Sequence, residues 1–257
     1  MTGVADVHDI DGVLAALRRE VDDAARTGDR TGLFAAVYRQ VTAAVAQRLD
    51  EGRFDDAARL HRFDALFAGR YLSALAEWRG GRDPGRSWRL AFRASEDAGP
   101  VLVQHVLLGI NAHINLDLAV AAAQTSPGAE IGGLKADFDR VNDVLVDVLC
   151  RLQGALNDLS PLLGSLDTIL GRIDEEILGF AIQRARAESW EAAVRLAGES
   201  PEARQNTIRM LDRYAYGVGR GVLAPPFPVP AALQLVRFTE RTGTSEAIER
   251  LDGALGL

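Results

Sequence analysis

The sequence predicts an all-α fold: a single multi-helix bundle with a buried central helix at about 100–124. Apolar residues recur at helical spacing along almost the whole chain, and alternating β-branched runs are scarce. The segment 100–124 is apolar around nearly its full circumference, the pattern of a helix enclosed by others.

Helices are expected in order over 10–27, 31–50, 55–79, 85–96, 100–124, 134–158, 161–171, 172–198, 201–220 and 230–256, the last broken near Gly243. Asp9 and Thr31 can cap the first two. Gly80-Gly81 with Asp83-Pro84-Gly85 ends the third, and Ser126-Pro127-Gly128 ends the fifth. Ser160-Pro161 and Ser200-Pro201 set a capping hydroxyl before a first-turn proline, whose missing N–H costs nothing there. Ala224-Pro225-Pro226-Phe227-Pro228-Val229-Pro230 reads as a stiff, extended strap. One domain over 1–257 is expected, with a peripheral N-terminal helix in 1–30 and the strap and C-terminal helices in 224–257.

Composition removes several classes. The 257 residues are 25% charged and 47% hydrophobic, so there is enough apolar material to build a core. The net charge of −7 disfavours a nucleic-acid partner. Cys150 is the one cysteine, which excludes a disulfide framework. The start, MTGVADVHDID, has no basic and apolar leader pattern, so the cytoplasm is the expected compartment. Val101–Ala123 has about the length of a bilayer span, but it carries His105, Asn111, His113, Asn115 and Asp117; a buried helix and no membrane partner are expected. A homodimer is only a base-rate expectation.

The polar residues of the central helix fall in two stripes. Gln104, Asn111 and Asn115 share one side, as expected of ties between helices. His113 and Asp117, one turn apart, share roughly the opposite side. That spacing lets both converge on a metal ion, or lets the carboxylate orient the imidazole, or merely fixes packing. His105 is a further buried candidate. Asp64 falls at the edge of the burying face of its helix, where a carboxylate needs a cation, a metal or several donors. Asp137 and Asn142 flank the apolar stripe of 134–158, which is expected to bury Phe138, Val141, Leu145, Val148, Leu149, Leu152 and Leu156. Asp137 also suits the first-turn dipole. Arg186 sits near the rim of an apolar face and can pair a carboxylate or a substrate anion. Arg59, Arg62 and Arg70 mark the arginine-rich side of 55–79, on which Asp64 does not lie. Gly217-Val218-Gly219-Arg220-Gly221 follows no strand, so it is not a dinucleotide loop.

The stretch from His105 to Leu118, with its Asn111-Ala112-His113-Ile114-Asn115-Leu116-Asp117 core, resembles the signature of DUF5995, an uncharacterised and largely actinobacterial family. Arg62-Phe63-Asp64, Phe67-Ala68-Gly69-Arg70-Tyr71, Trp88 with Ala91-Phe92, Asp137-Phe138-Asp139-Arg140-Val141-Asn142, and Arg186 with Trp190 are similar to the same family. These pieces run from about 30 to 225, leaving 1–30 and 230–257 outside. The resemblance implies an all-α fold and nominates Asp64, Asn111, His113, Asp117 and Asp137; it implies no activity.

Three functions follow as expectations. The first is an enzyme whose His113, Asp117, Asp64 and Asp137 hold a divalent metal (Zn, Fe, Mn or Mg), a hydrolase or oxidase. The second is a metal-free isomerase, lyase or cyclase acting on a small apolar substrate, with Asp117 orienting His113 as acid or base and Asp64 beside them. The third is a non-catalytic helical protein that binds a small molecule or a partner. There the polar residues, including Asn111, Asn115, Asn142, His105 and Arg186, are internal ties, and Asp117→Asn is expected to be mild.

Overall fold

Helix α1 (Ile10–Thr27) begins where Asp9 accepts the N–H of Gly12, and it ends at Gly28, whose φ of 72° suits only glycine without strain. Ile10, Val13, Leu17, Val21 and Ala24 form its buried stripe. The computed structural model describes residues 9–159, 175–226, 229–240, 242–254 and 256, and no strand occurs among them. Thr31 is the first residue of α2 (Thr31–Asp50) rather than its cap; Asp29 accepts the Thr31 N–H at 2.9 Å instead. From Gly32 to Gln40 every residue of α2 is buried, because this helix packs on several others at once.

Helix α3 (Ala57–Arg79) starts two residues later than expected, since Asp56 accepts the Arg59 N–H and is the cap. Helix α4 (Arg86–Glu96) takes its cap from a distant part of the chain. The Asp212 carboxylate accepts the backbone N–H groups of Arg86 and Ser87, at 3.0 and 2.9 Å. Then comes the central helix: α5 (Leu102–Ala112), a π-helical turn (His113–Asp117) and α6 (Leu118–Thr125). Expected as one uninterrupted α-helix, it carries this wider turn in the middle, where the Leu118 N–H reaches back to the His113 carbonyl. It packs against α2, α3 and α4, and against two later helices. Its length and composition would suffice to cross a membrane, yet 78% of its most apolar window is buried inside the protein.

A 3₁₀ turn (Gly128–Leu134) leads into α7 (Lys135–Leu159), followed by α8 (Glu175–Gly198), α9 (Pro201–Leu223), α10 (Val229–Thr239) and α11 (Thr244–Gly253). Ser200 caps α9 ahead of Pro201, as expected, and the C-terminal helix is broken at the expected place. On α7, Phe138, Val141 and Val148 are buried, while Asp139, Asp143 and Asp147 face out. The helix expected over 161–171, the start of 172–198, the Ser160-Pro161 pair and the side chains of Leu149, Leu152 and Leu156 lie outside the described residues. Gly219 is a packing glycine in α9: a Cβ there would come within 2.9 Å of Leu90 and 3.2 Å of Asn111.

Candidate functional site

The π turn carries His113 at its start and Asp117 at its end. Such a turn widens the helix and leaves its hydrogen-bond ladder irregular, a device found mostly at functional sites. Asp117 is 1% exposed and fully engaged. One oxygen accepts Arg70 Nε at 2.9 Å; the other accepts Trp88 Nε1 at 2.9 Å and lies 3.3 Å from His113 Nδ1. Three elements thus converge on one carboxylate. Arg70 reaches this carboxylate from the arginine-rich side of α3. Its side chain is about a quarter exposed and is spent neutralising Asp117.

Because Nδ1 faces an Asp117 oxygen that already accepts from Trp88, the neutral imidazole is matched to that acceptor with its proton on Nδ1, which leaves Nε2 with a bare lone pair. Nε2 is buried without a hydrogen-bond partner. Phe67 lies flat on the imidazole, centroids 3.6 Å apart and planes within 9°, and Tyr38 meets it edge-on at 4.4 Å. Burial lowers the His113 pKa. Asp117 works in the opposite direction, and Arg70 adds to the lowering.

Asp64, on α3, is also buried, and its Oδ2 has no partner. The sequence called for a cation, a metal or several donors around this carboxylate. The structure answers differently: burial alone raises its pKa to about 7, so the group stays protonated in mild acid and is about half ionised at neutrality. The Tyr38 hydroxyl is a third buried group without a partner. Burial, then the charges of Asp64 and Asp117, hold its pKa well above the usual phenol range, so it is a donor.

Asp64, His113 and Tyr38 line one cavity of about 70 Å³, together with Arg186. The rest of its wall is apolar, from Val37, Val41, Val45, Leu60, Phe63, Val141, Leu145 and Ile182 among others. That is room for several waters or a small organic molecule, and an apolar wall favours the latter. Arg186 donates to Asn142 Oδ1 and, at 2.8 Å, to the Phe138 carbonyl.

The other expected site residues lie elsewhere. Asp137 is 1% exposed but turned away from the cavity wall: it accepts the N–H groups of Asp55 and Asp56 at 2.7 and 3.0 Å and pairs with Arg140. It anchors the approach to α3. Among the described residues no three His, Cys, Asp or Glu side chains meet as a metal would require. The metal set His113, Asp117, Asp64 and Asp137 is thus not gathered: two of its four carboxyl and imidazole members, Asp117 and Asp137, have their oxygens committed to donors. Asn111 donates to the Ala215 carbonyl at 2.7 Å and accepts from Asn115 at 2.8 Å, and Gln104 donates to the Val222 carbonyl. These are the helix ties the sequence predicted. His105 is buried with neither ring nitrogen bonded, beside a separate small cavity of about 20 Å³. Burial, and to a lesser degree Arg30, holds its pKa down at about 4.

Sequence reasoning assigned no role to Tyr38, Arg70 or Trp88. Tyr38 sits in a run of α2 that is apolar on all sides, so periodicity does not single it out. Trp88 was visible only as a piece of the family resemblance.

A family model described as a family of unknown function, DUF5995, matches residues 10–225. The match begins at α1, so this helix is part of the shared unit rather than outside it. No curated protein and no solved structure matches the chain.

Proposed function

The chain belongs to the DUF5995 family, and we propose that it is an enzyme that moves a proton on a small apolar substrate without a metal, as an isomerase, lyase or cyclase does. One observation carries the reading: an unpartnered imidazole nitrogen, His113 Nε2, and an unpartnered carboxyl, Asp64, line the same apolar cavity. Leaving two such groups buried without partners costs roughly 1–3 kcal/mol each. Folds retain that cost mostly where a ligand repays it.

The chemistry follows from the two environments. Neutral His113 accepts a proton from a carbon next to a substrate carbonyl. The C–H electron pair moves toward the carbonyl oxygen, which receives a proton or a strong hydrogen bond from Asp64. The imidazolium so formed is stabilised by Asp117 through Nδ1, and Tyr38 supplies a second donor in the cavity. A neutral base beside an acid that still holds its proton in about half of the molecules at pH 7 is what such transfer needs. Asp117 orients His113 and is a positioning residue.

The test is deuterium exchange. Protein in D₂O is mixed with a panel of small apolar ketones and aldehydes, and loss of the α-C–H signal is followed by proton NMR. The wild type should exchange at least one compound. His113→Ala should slow this by about 100-fold or more and Asp64→Asn by a smaller factor, with no change on adding a chelator. Sensitivity to the chelator overturns the metal-free mechanism. Binding without exchange turns the protein into the ligand-binding module of the third expectation.

A further inference from the structure

We infer that the molecule taken by this cavity is an apolar carboxylic acid, and that Arg186 holds its carboxylate. The inference rests on the functional reading of the same cavity and names the substrate class. Arg186 is 3% exposed, which is rare for a guanidinium. Its contacts are the Asn142 side-chain oxygen, the Phe138 carbonyl and the Phe138 ring face, 4.4 Å from the guanidinium carbon. All three are neutral. Among the described residues no carboxylate lies within ion-pair distance of it. The charge that acts on it is that of Asp139, an exposed residue whose carboxylate pairs with Lys135.

Among the described residues Asp64 is the one carboxyl group lining the cavity, and it does not serve Arg186: burial is the sole cause of its shift. Among the described residues the cavity therefore holds a fixed cation, a carboxyl that stays protonated below about pH 7, a neutral imidazole and a phenol. Below that pH the uncompensated charge among them is positive. The two hydrogen bonds and the ring contact fix the fork in place and leave part of its five-donor set uncommitted, and a guanidinium held this way is matched to the two oxygens of a carboxylate. A single cation suits a monoanion better than a phosphate dianion. The aliphatic and aromatic remainder of the wall suits an apolar body. With its carboxylate on Arg186, such an acid presents its other end to His113 and Asp64, which asks for a second, reactive carbonyl on the same molecule.

The probes are butyrate and benzoate, each set against its own amide, butyramide and benzamide, in calorimetric titrations of the full chain. The acids should bind at least tenfold more tightly than the amides. Arg186→Gln should bring that ratio to within about twofold of one, and Arg186→Lys should keep part of it. If Arg186→Gln does not fold, the Arg186 Nε–H signal of the wild type gives the answer, because acids should shift it and amides should not. Equal binding of acid and amide, or an acid preference that survives Arg186→Gln, overturns the assignment. Titration reads no turnover, so the two claims fail separately. Acid binding through Arg186 without deuterium exchange sinks the catalytic reading alone; exchange on neutral ketones with no acid preference sinks this one alone.

Discussion

The indole N–H of Trp88 donates to the Asp117 oxygen that also faces His113, at 2.9 Å, while the other Asp117 oxygen takes Arg70. Both oxygens of this carboxylate therefore meet donors. An asparagine in its place has to turn an NH₂ toward Arg70 or toward the Trp88 and His113 pair, donor against donor. Asp117→Asn is accordingly expected to cost roughly 3–5 kcal/mol rather than being mild. Trp88→Phe, which deletes one donor and leaves two, should cost about 1–3 kcal/mol. Urea unfolding of the three proteins measures both; a loss below about 1 kcal/mol for Asp117→Asn would contradict the three-donor arrangement.

Asp64 makes the native state sensitive to base. Its folded pKa is raised to about 7 from the ordinary aspartate value of 3.8. The folded protein thus keeps a proton that the unfolded chain releases, so stability from this group is complete below about pH 4 and is lost as pH rises through 7. About three units corresponds to a ceiling on the order of 4 kcal/mol. Asp64→Asn should match the wild type in stability near pH 4 and exceed it by a growing margin up to pH 8. Melting curves at intervals across that window check it, and a margin that does not grow with pH argues against a buried, unpaired carboxyl.

The acid side is governed by histidine. Burial holds His105 down at about 4, so the unfolded chain binds a proton below pH 6.5 that the folded one refuses. The stability tied to this group is present above 6.5 and falls away toward 4, by about 3 kcal/mol in all. His113 is lowered for the same reason and adds to the same limb. His105→Leu fills an apolar site and should flatten the slope of unfolding free energy between pH 6.5 and 4 without removing it. An unchanged slope would mean that His105 is protonated in the folded state.

How far the sequence reaches is clear from particular residues. Helix positions were legible because apolar spacing and caps such as Asp9 and Ser200 are local, and the enclosed central helix was legible because its whole circumference is apolar. His113 and Asp117 were legible as a pair for the same reason: four residues apart on a helix means contact. The π turn between them was not, since no residue type from His113 to Asp117 marks a widened turn; in the fold it packs against α3, α8 and α9. Asp64 and Asp137 were both found as misplaced carboxylates, but a helical wheel says only that a side chain turns inward. It does not say whether the inward side ends at a backbone N–H, as for Asp137, or at an open cavity, as for Asp64. The Arg70 contact with Asp117 was not legible, because arginine is long enough to cross from one face of a helix to another.

Two glycines offer a final test of how tightly the site is packed. A Cβ on Gly109 would stand 2.3 Å from Phe34, a ring that also packs against Tyr38, Tyr71, Trp88 and His113. On Gly217, in the interior of α9, it would meet nothing within 4 Å. Both substitutions to alanine gain about 1 kcal/mol of helix propensity, so any difference in sign comes from the surroundings. Gly217→Ala should raise the melting temperature by about 2–4 °C. Gly109→Ala has to move the Phe34 ring, at about 1–3 kcal/mol or more, and because that ring lines the cavity the His113 imidazole signals should shift in the same variant. If Gly109→Ala stabilises the protein as Gly217→Ala does, Phe34 is free to yield, and the ring cluster does not hold His113 in place.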